Sequence, residues 1–240
     1  MKKNISAVLF VCGLVPSALF AAEKDPNSYA DKFPTIPQNA RVVLLPMAYD
    51  FSAAAQETPI VQAAIVDQLK TLGFRPVKIK LEPSSMPPGI DRVYLTPNLA
   101  NKNVRPSKQV YLHDVSSQVP FDIALIPAVL SRTAKLSGQT ARWDNVKVHL
   151  NVKGYGSGMS TEWRGTSLGL SLELDAYDSK GQWLFTSYGG ISLPYVINTK
   201  EAMNILKPRL FESEKDQESL RQGVEAALEP LTEKIKISKN

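Results

Sequence analysis

Two short runs constrain this chain more than any other feature. Arg41-Val42-Val43-Leu44-Leu45-Pro46 and Phe121-Asp122-Ile123-Ala124-Leu125-Ile126-Pro127 are almost continuously apolar, and each is stopped by proline. A strand with one wet face alternates polar and apolar residues. A strand that is apolar at consecutive positions needs cover on both faces. The two runs therefore read as central strands of one covered sheet.

The residues between them supply part of the cover. Pro59 suits a first helical turn. Ile60, Val61, Ala64, Ile65, Leu69 and Leu72 follow at helical spacing, and Gly73 is a stop signal. Phe74 to Leu81 alternates and reads as a second strand. The unit 41–81 is thus strand, helix, strand. Its strands are parallel, or antiparallel if an edge intervenes, and a mixed sheet is expected. Glu82 to Arg105 is proline-rich and reads mostly as loop, with Val93-Tyr94-Leu95 as a short edge strand. Ser107 to Val119 fits either a strand or a short helix.

Further on, Val146 to Val152 alternates cleanly. Leu168 to Tyr177 does too, with Leu168, Leu170, Leu172, Leu174 and Ala176 on one face. Asp178-Ser179-Lys180-Gly181 is a turn with Gly at the left-handed position, and Trp183 to Leu193 returns as the partner strand. This block is expected to be antiparallel with one wet face. Ala202, Ile205 and Leu206 are expected to begin a helix that Pro208 limits. Leu220, Val224, Ala227, Leu228 and Leu231 form the apolar stripe of a surface helix from Glu218 to about Ile235.

The first residues read as a targeting signal. Lys2-Lys3 is a basic start, Ile5 to Phe20 is mostly apolar, and Ala21-Ala22 offers small residues for cleavage. The apolar run is interrupted by Pro16 and falls short of the ~20 residues needed to span a bilayer. Cys12 fits a lipid-anchored form poorly, because Val11 precedes it and apolar residues follow. The expected organisation is a signal peptide at 1–22, an extended leader at 23–40 and a single α/β domain at 41–237, placed in the periplasm after cleavage. The charge of +5 then falls to +3, and Cys12, the only cysteine of 240 residues, is lost. Such a domain must be held by its core, without disulfides.

The same scarcity excludes chemistry. His113 and His149 are the only imidazoles, so a Ser-His-Asp site must use one of them. Neither stands in a recognisable site, and no Gly-x-Ser-x-Gly elbow exists. No cysteine or His-x-x-x-His pattern offers metal ligands. Gly154-Tyr155-Gly156-Ser157-Gly158 resembles a phosphate loop, but a strand rather than a helix follows it. No cofactor is expected. Trp143, Tyr155, Trp163 and Arg164 are the candidate contact residues, because aromatics and Arg dominate interface energetics. Trp143 and Trp163 lie at strand ends, where exposure is expected. Nucleic acid is discarded as a partner, since part of the basic excess lies in Lys2, Lys3 and the tail lysines. The remaining basic residues favour contact with anionic lipid head groups or cell-wall polymer.

The "VVLLP" strand, the helix ending in "LKTLGF", the "FDIALIPAVL" strand, the hairpin "LELDAYDSKGQWLFTSYGG" and the helix "LRQGVEAALEPLTEKI" together resemble a periplasmic α/β domain. It is the one shared by the TolB amino-terminal domain, the curli secretion protein CsgG, the polysaccharide-export protein PelC and the activator LpoB. The resemblance covers residues 41–193 and 218–235. It implies an α/β (α+β) fold with a mixed sheet, a long antiparallel hairpin block and flanking helices. It further implies a non-enzymatic binding or assembly module of a Gram-negative envelope. Its expected partner is an envelope protein or a second copy. A carbohydrate-binding accessory of polysaccharide export or cell-wall machinery is the alternative, and a hydrolase with an unrecognised site the second.

Overall fold

The first apolar run forms β3 (Arg41–Leu44), with Val42 and Val43 both buried on opposite faces. The structure, a computed structural model, describes residues 27–37, 39–79, 112, 115–116, 118–150, 152–153, 163–198, 203–233 and 236–238. Ahead of β3 lie β1 (Ser28–Tyr29) and β2 (Thr35–Pro37). After it come β4 (Ala48–Tyr49), α1 (Ser52–Ala55), α2 (Thr58–Thr71) and β5 (Arg75–Lys78). The second run opens β6 (Ile123–Gly138), followed by β7 (Thr140–Trp143), β8 (Val146–His149) and β9 (Val152–Lys153). Then come β10 (Trp163–Asp178), β11 (Trp183–Ser192), β12 (Tyr195–Asn198) and β13 (Met203–Leu206). Helix α3 (Glu214–Glu233) and β14 (Lys236–Ser238) close the chain.

Among the described residues the main sheet has nine strands, with β1-β11-β10-β6-β3-β5 in order and β4, β7 and β8 off that path. β3 is parallel to both β5 and β6, β4 is parallel to β6, and the other pairs are antiparallel, so the sheet is mixed as expected. The fold is α/β with a large antiparallel block and few helices. Helix α2 ends as its sequence foretells. Gly73 takes φ 84°, its N–H bonds the Lys70 carbonyl, and Phe74 N–H reaches the Leu69 carbonyl. That is a Schellman cap. The β10–β11 turn is also as read. Gly181 has φ 74°, and the Asp178 carboxylate accepts N–H bonds from Lys180 and Gln182 at 2.9 and 2.8 Å.

One face of the sheet is covered by helices. Leu170, Leu172, Leu174, Phe185 and Ile191 pack there with Val61, Ile65 and Leu69 of α2 and Val224, Ala227 and Leu228 of α3. Each fully buried leucine of this kind contributes about 1.5–3 kcal/mol. Helix α3 approaches β11 closely: a Cβ at Gly189 would lie 1.8 Å from the Gly223 carbonyl oxygen. Glycine inside a helix costs ~1 kcal/mol relative to alanine. Here that cost permits backbone-to-backbone packing.

Several expectations need correction. The block was expected to have one wet face, yet Ser171, Asp175 and Tyr177 on the second face are buried. Val43, Leu45, Leu112, Phe121 and Ile126 pack there beside Tyr177. The stretch 23–40 is not only a leader. β1 pairs with the edge of β11, and β2 runs parallel to β14, so residues 28–29 and 35–37 belong to sheets. The alternating run 146–152 divides: β8 pairs with β7, while β9 pairs with β12 in a separate sheet. Residues 203–206 form a strand rather than a helix, because β12 supplies an antiparallel partner. Of the ambiguous 107–119, the described Leu112, Val115, Ser116 and Gln118 are helical. Residues 1–22, His113 and the edge strand expected at 93–95 lie outside the described residues.

Candidate interaction surface

The four contact residues expected from sequence do not form one surface. Trp143 is buried in the core, at 1% exposure, instead of standing exposed at a strand end. Its indole N–H donates to the Leu170 carbonyl at 3.2 Å. Gly169 and Gly190 make room: a Cβ on Gly190 would come within 2.5 Å of the ring nitrogen. The turn after Trp143 explains the placement. Asp144 and Asn145 take φ 35° and 65°, the left-handed pair of a type I′ hairpin, which folds β8 back on β7. Ala134, Ala141, Trp143 and Val146 then form their own small core. Trp163 is half-buried opposite Gly138, while Arg164 is exposed opposite Ser137. Neighbours on a strand point to opposite faces, so these two cannot share a contact. Tyr155 lies outside the described residues.

Between the two cores of the second face runs a polar row that sequence reasoning did not find. Arg132 clasps Asp144 through two bonds of 2.9 and 3.2 Å, and Ser171 donates to the same carboxylate at 2.6 Å. The Arg132 guanidinium also lies 4.9 Å from the centre of the Tyr188 ring. Burial works against its charge, but Asp144, with Tyr188 and Glu173, holds its pKa above the usual value. Burial, together with the Glu173 carboxylate to which it hydrogen-bonds, pushes the Tyr188 phenol far above its ordinary value. Thr186 donates to Asp175, and the Trp183 indole donates to Thr186 at 3.1 Å. Trp183 is thus half-buried beside this row, opposite Tyr177. Buried polar groups bonded in this way fix strand register.

The smaller sheet, in the order β13-β12-β9, is built differently. Leu206 faces Tyr195, Asn204 faces Ile197, and Ile197 faces Val152. Val152, Tyr195, Ile197 and Leu206 therefore share one face. Val152 and Leu206 are 37% and 46% exposed, and Ile205 on the other face is 39% exposed. The Lys207 N–H bonds the Pro194 carbonyl at 2.8 Å. By the alternation of an antiparallel ladder, the backbone groups of Asn204 and Leu206 then point outward from β13. Among the described residues no strand pairs with that edge. The β11 edge of the main sheet is closed instead. Tyr188 N–H bonds the Asn27 side chain, Gly190 N–H bonds the Asp144 carbonyl, and β1 pairs between them and the turn. Lys207 anchors the end of β13 by pairing with Asp216, which Ser213 holds at the start of α3.

No protein-family model matches the chain, and no curated protein matches it. Solved structures do. One is PelC from Paraburkholderia phytofirmans, a dodecamer, with TM-score 0.38 and 8% identity over 85% of this chain and 96% of that one. A single-residue variant of that PelC, also a dodecamer, matches with the same score and coverage at 10% identity. A homolog of the neuraminyllactose-binding hemagglutinin from Helicobacter pylori has TM-score 0.33 and 12% identity, covering 86% of this chain and 89% of that one. PelC is one of the four proteins that the sequence motifs resemble. These are distant likenesses of fold.

Proposed function

We propose that the chain is a non-enzymatic binding or assembly module in the periplasm of a bacterial envelope, acting through protein–protein contacts. One observation carries this reading: the β13 edge, unpaired among the described residues, beside a face on which Val152 and Leu206 are exposed and Tyr195 and Ile197 half-buried. An unprotected edge strand is a template for pairing with another chain, and proteins usually block it. The long β11 edge is blocked by β1, a side chain and a hairpin turn, while among the described residues no strand pairs with the short β13 edge. Exposed apolar residues grouped on one face mark contact surfaces. His149 stands exposed on β8.

Leu206→Glu places a charge on this face without touching the core. The expected result is an unchanged melting temperature together with loss of a discrete oligomer in light scattering, or loss of the cellular phenotype. A protein that is monomeric and keeps its phenotype with Leu206→Glu sinks the reading. A monomer that binds glycan supports the carbohydrate accessory instead. Cell fractionation with and without residues 1–22 tests the compartment.

A further inference from the structure

The far end of the antiparallel β6–β10 pair carries a second exposed surface of another chemistry. Lys135 is directly opposite Arg142 on β7, and Arg142 is directly opposite Lys147 on β8. Three cations thus stand in register across three adjacent strands, about 5 Å apart from strand to strand. Thr166 continues this row on β10. The next row on the same face is His149, Thr140, Ser137 and Arg164. Of these eight residues only Thr140 is half-buried; the rest are exposed. Neither row contains Asp or Glu. The opposite face of the same strands, with Ala134, Ala141, Trp143 and Val146, is the small core.

Like charges directly opposite on neighbouring strands are destabilising. A surface that served folding alone would alternate its signs, so the repulsion along this row costs stability. Lys135 and Arg164 also take part in other interactions, and Lys147 shares a groove of about 710 Å³ with Glu225 and Glu229 of α3. Arg142, in the middle of the row, is exposed and faces a cation on either side.

We propose that this face docks on an anionic phospholipid surface. The charge complementarity is direct, and the strands present the cations on long stems from one exposed face. No Phe, Tyr or Trp stands on either row to stack on a sugar ring; Trp163, beside Arg164, belongs to the opposite face. Recognition is by charge and hydroxyl groups alone. Lipid head groups diffuse in the plane of a bilayer and can arrange themselves under a row of fixed spacing. Near a membrane each Lys or Arg contributes enough to change binding about fivefold. The contact lies on the membrane, not across it: among the described residues no helix is long and apolar enough to span one. This surface is separate from the β13 edge, so the two proposals fail independently.

The test is co-sedimentation of the exported, processed protein with vesicles of phosphatidylglycerol and phosphatidylcholine, against phosphatidylcholine alone. Binding is expected only to the anionic vesicles, and it should weaken with added salt. Arg142→Ala should weaken it about fivefold, and Arg142→Ala with Lys135→Ala about 25-fold. The melting temperature should hold or rise, because cross-strand repulsion is relieved. Lys180→Ala, in the exposed β10–β11 turn, should change nothing. Equal binding to both vesicles, or indifference to the double substitution, overturns the proposal. So does retention on a soluble anionic polysaccharide with no binding to vesicles.

Discussion

The two faces of the main sheet are stabilised by different means. The helix face is a matter of shape: leucines, Phe185 and Ile191 meet α2 and α3, and Gly189 of β11 with Gly223 of α3 lets the helix settle on the backbone itself. The second face carries directional bonds between its two apolar ends, through Arg132, Asp144, Ser171, Tyr188, Glu173, Asp175 and Thr186. Dispersion and area tolerate sliding; a two-pronged Arg–carboxylate bond does not. The helix face therefore supplies most of the cohesion, and the second face fixes how β6, β10, β11 and the β7–β8 hairpin align.

The comparison is open to attack on both sides. Gly189→Val should have the largest effect, since any Cβ there meets the Gly223 backbone, which cannot swing aside. Loss of soluble folded protein is expected on expression and circular dichroism, and a variant that melts normally would break the account of the helix face. Trp143→Ala should cost about 3–5 kcal/mol in denaturant unfolding. Asp144→Ala leaves Arg132 half-buried and Ser171 fully buried without their shared carboxylate, and should cost about 2–3 kcal/mol. A double-mutant cycle with Arg132→Ala sharpens this: coupling near zero would mean that the row aligns nothing.

The smallest effect is at the ion pair joining β3 to the residue before β6. Burial opposes the Asp122 charge, but hydrogen bonds from the Arg41 side chain and N–H, and the Arg41 charge, hold its pKa below the usual carboxylate value. A depressed pKa contributes stability that is present above the unfolded value, near 4, and is lost as pH falls through the folded one. Asp122→Asn should lower stability slightly at neutral pH and leave it nearly unchanged below the folded pKa, which flattens that part of the acid limb. An unchanged acid limb would show that the pair contributes nothing to folding.

Where local signals were self-sufficient, they were legible. The α2 cap at Gly73 and the Asp178–Gly181 turn depend on residues within one turn of each other, and both stand as read. Failures cluster where a distant partner decides. Ile205 and Leu206 match a helix as well as a strand until β12 lies beside them, and the β-branched run at 196–197, eight residues upstream, was the available hint. Trp143 looked exposed because the space it fills is made by Gly169 and Gly190, far along the chain. The Asp144-Asn145 turn signal was present but unread, and with it the length of β6.

Taken alone, the amino-acid sequence determined the mixed α/β class, the central place of the two proline-stopped runs and the scarcity of catalytic side chains. Those follow from local periodicity, turn chemistry and composition. Only the tertiary structure decided which sheet edge is closed and which is open, which tryptophan is core, and that three cations on separate strands share one row. Register across strands is a long-range quantity, set by packing and directional bonds between residues that no window of sequence contains together.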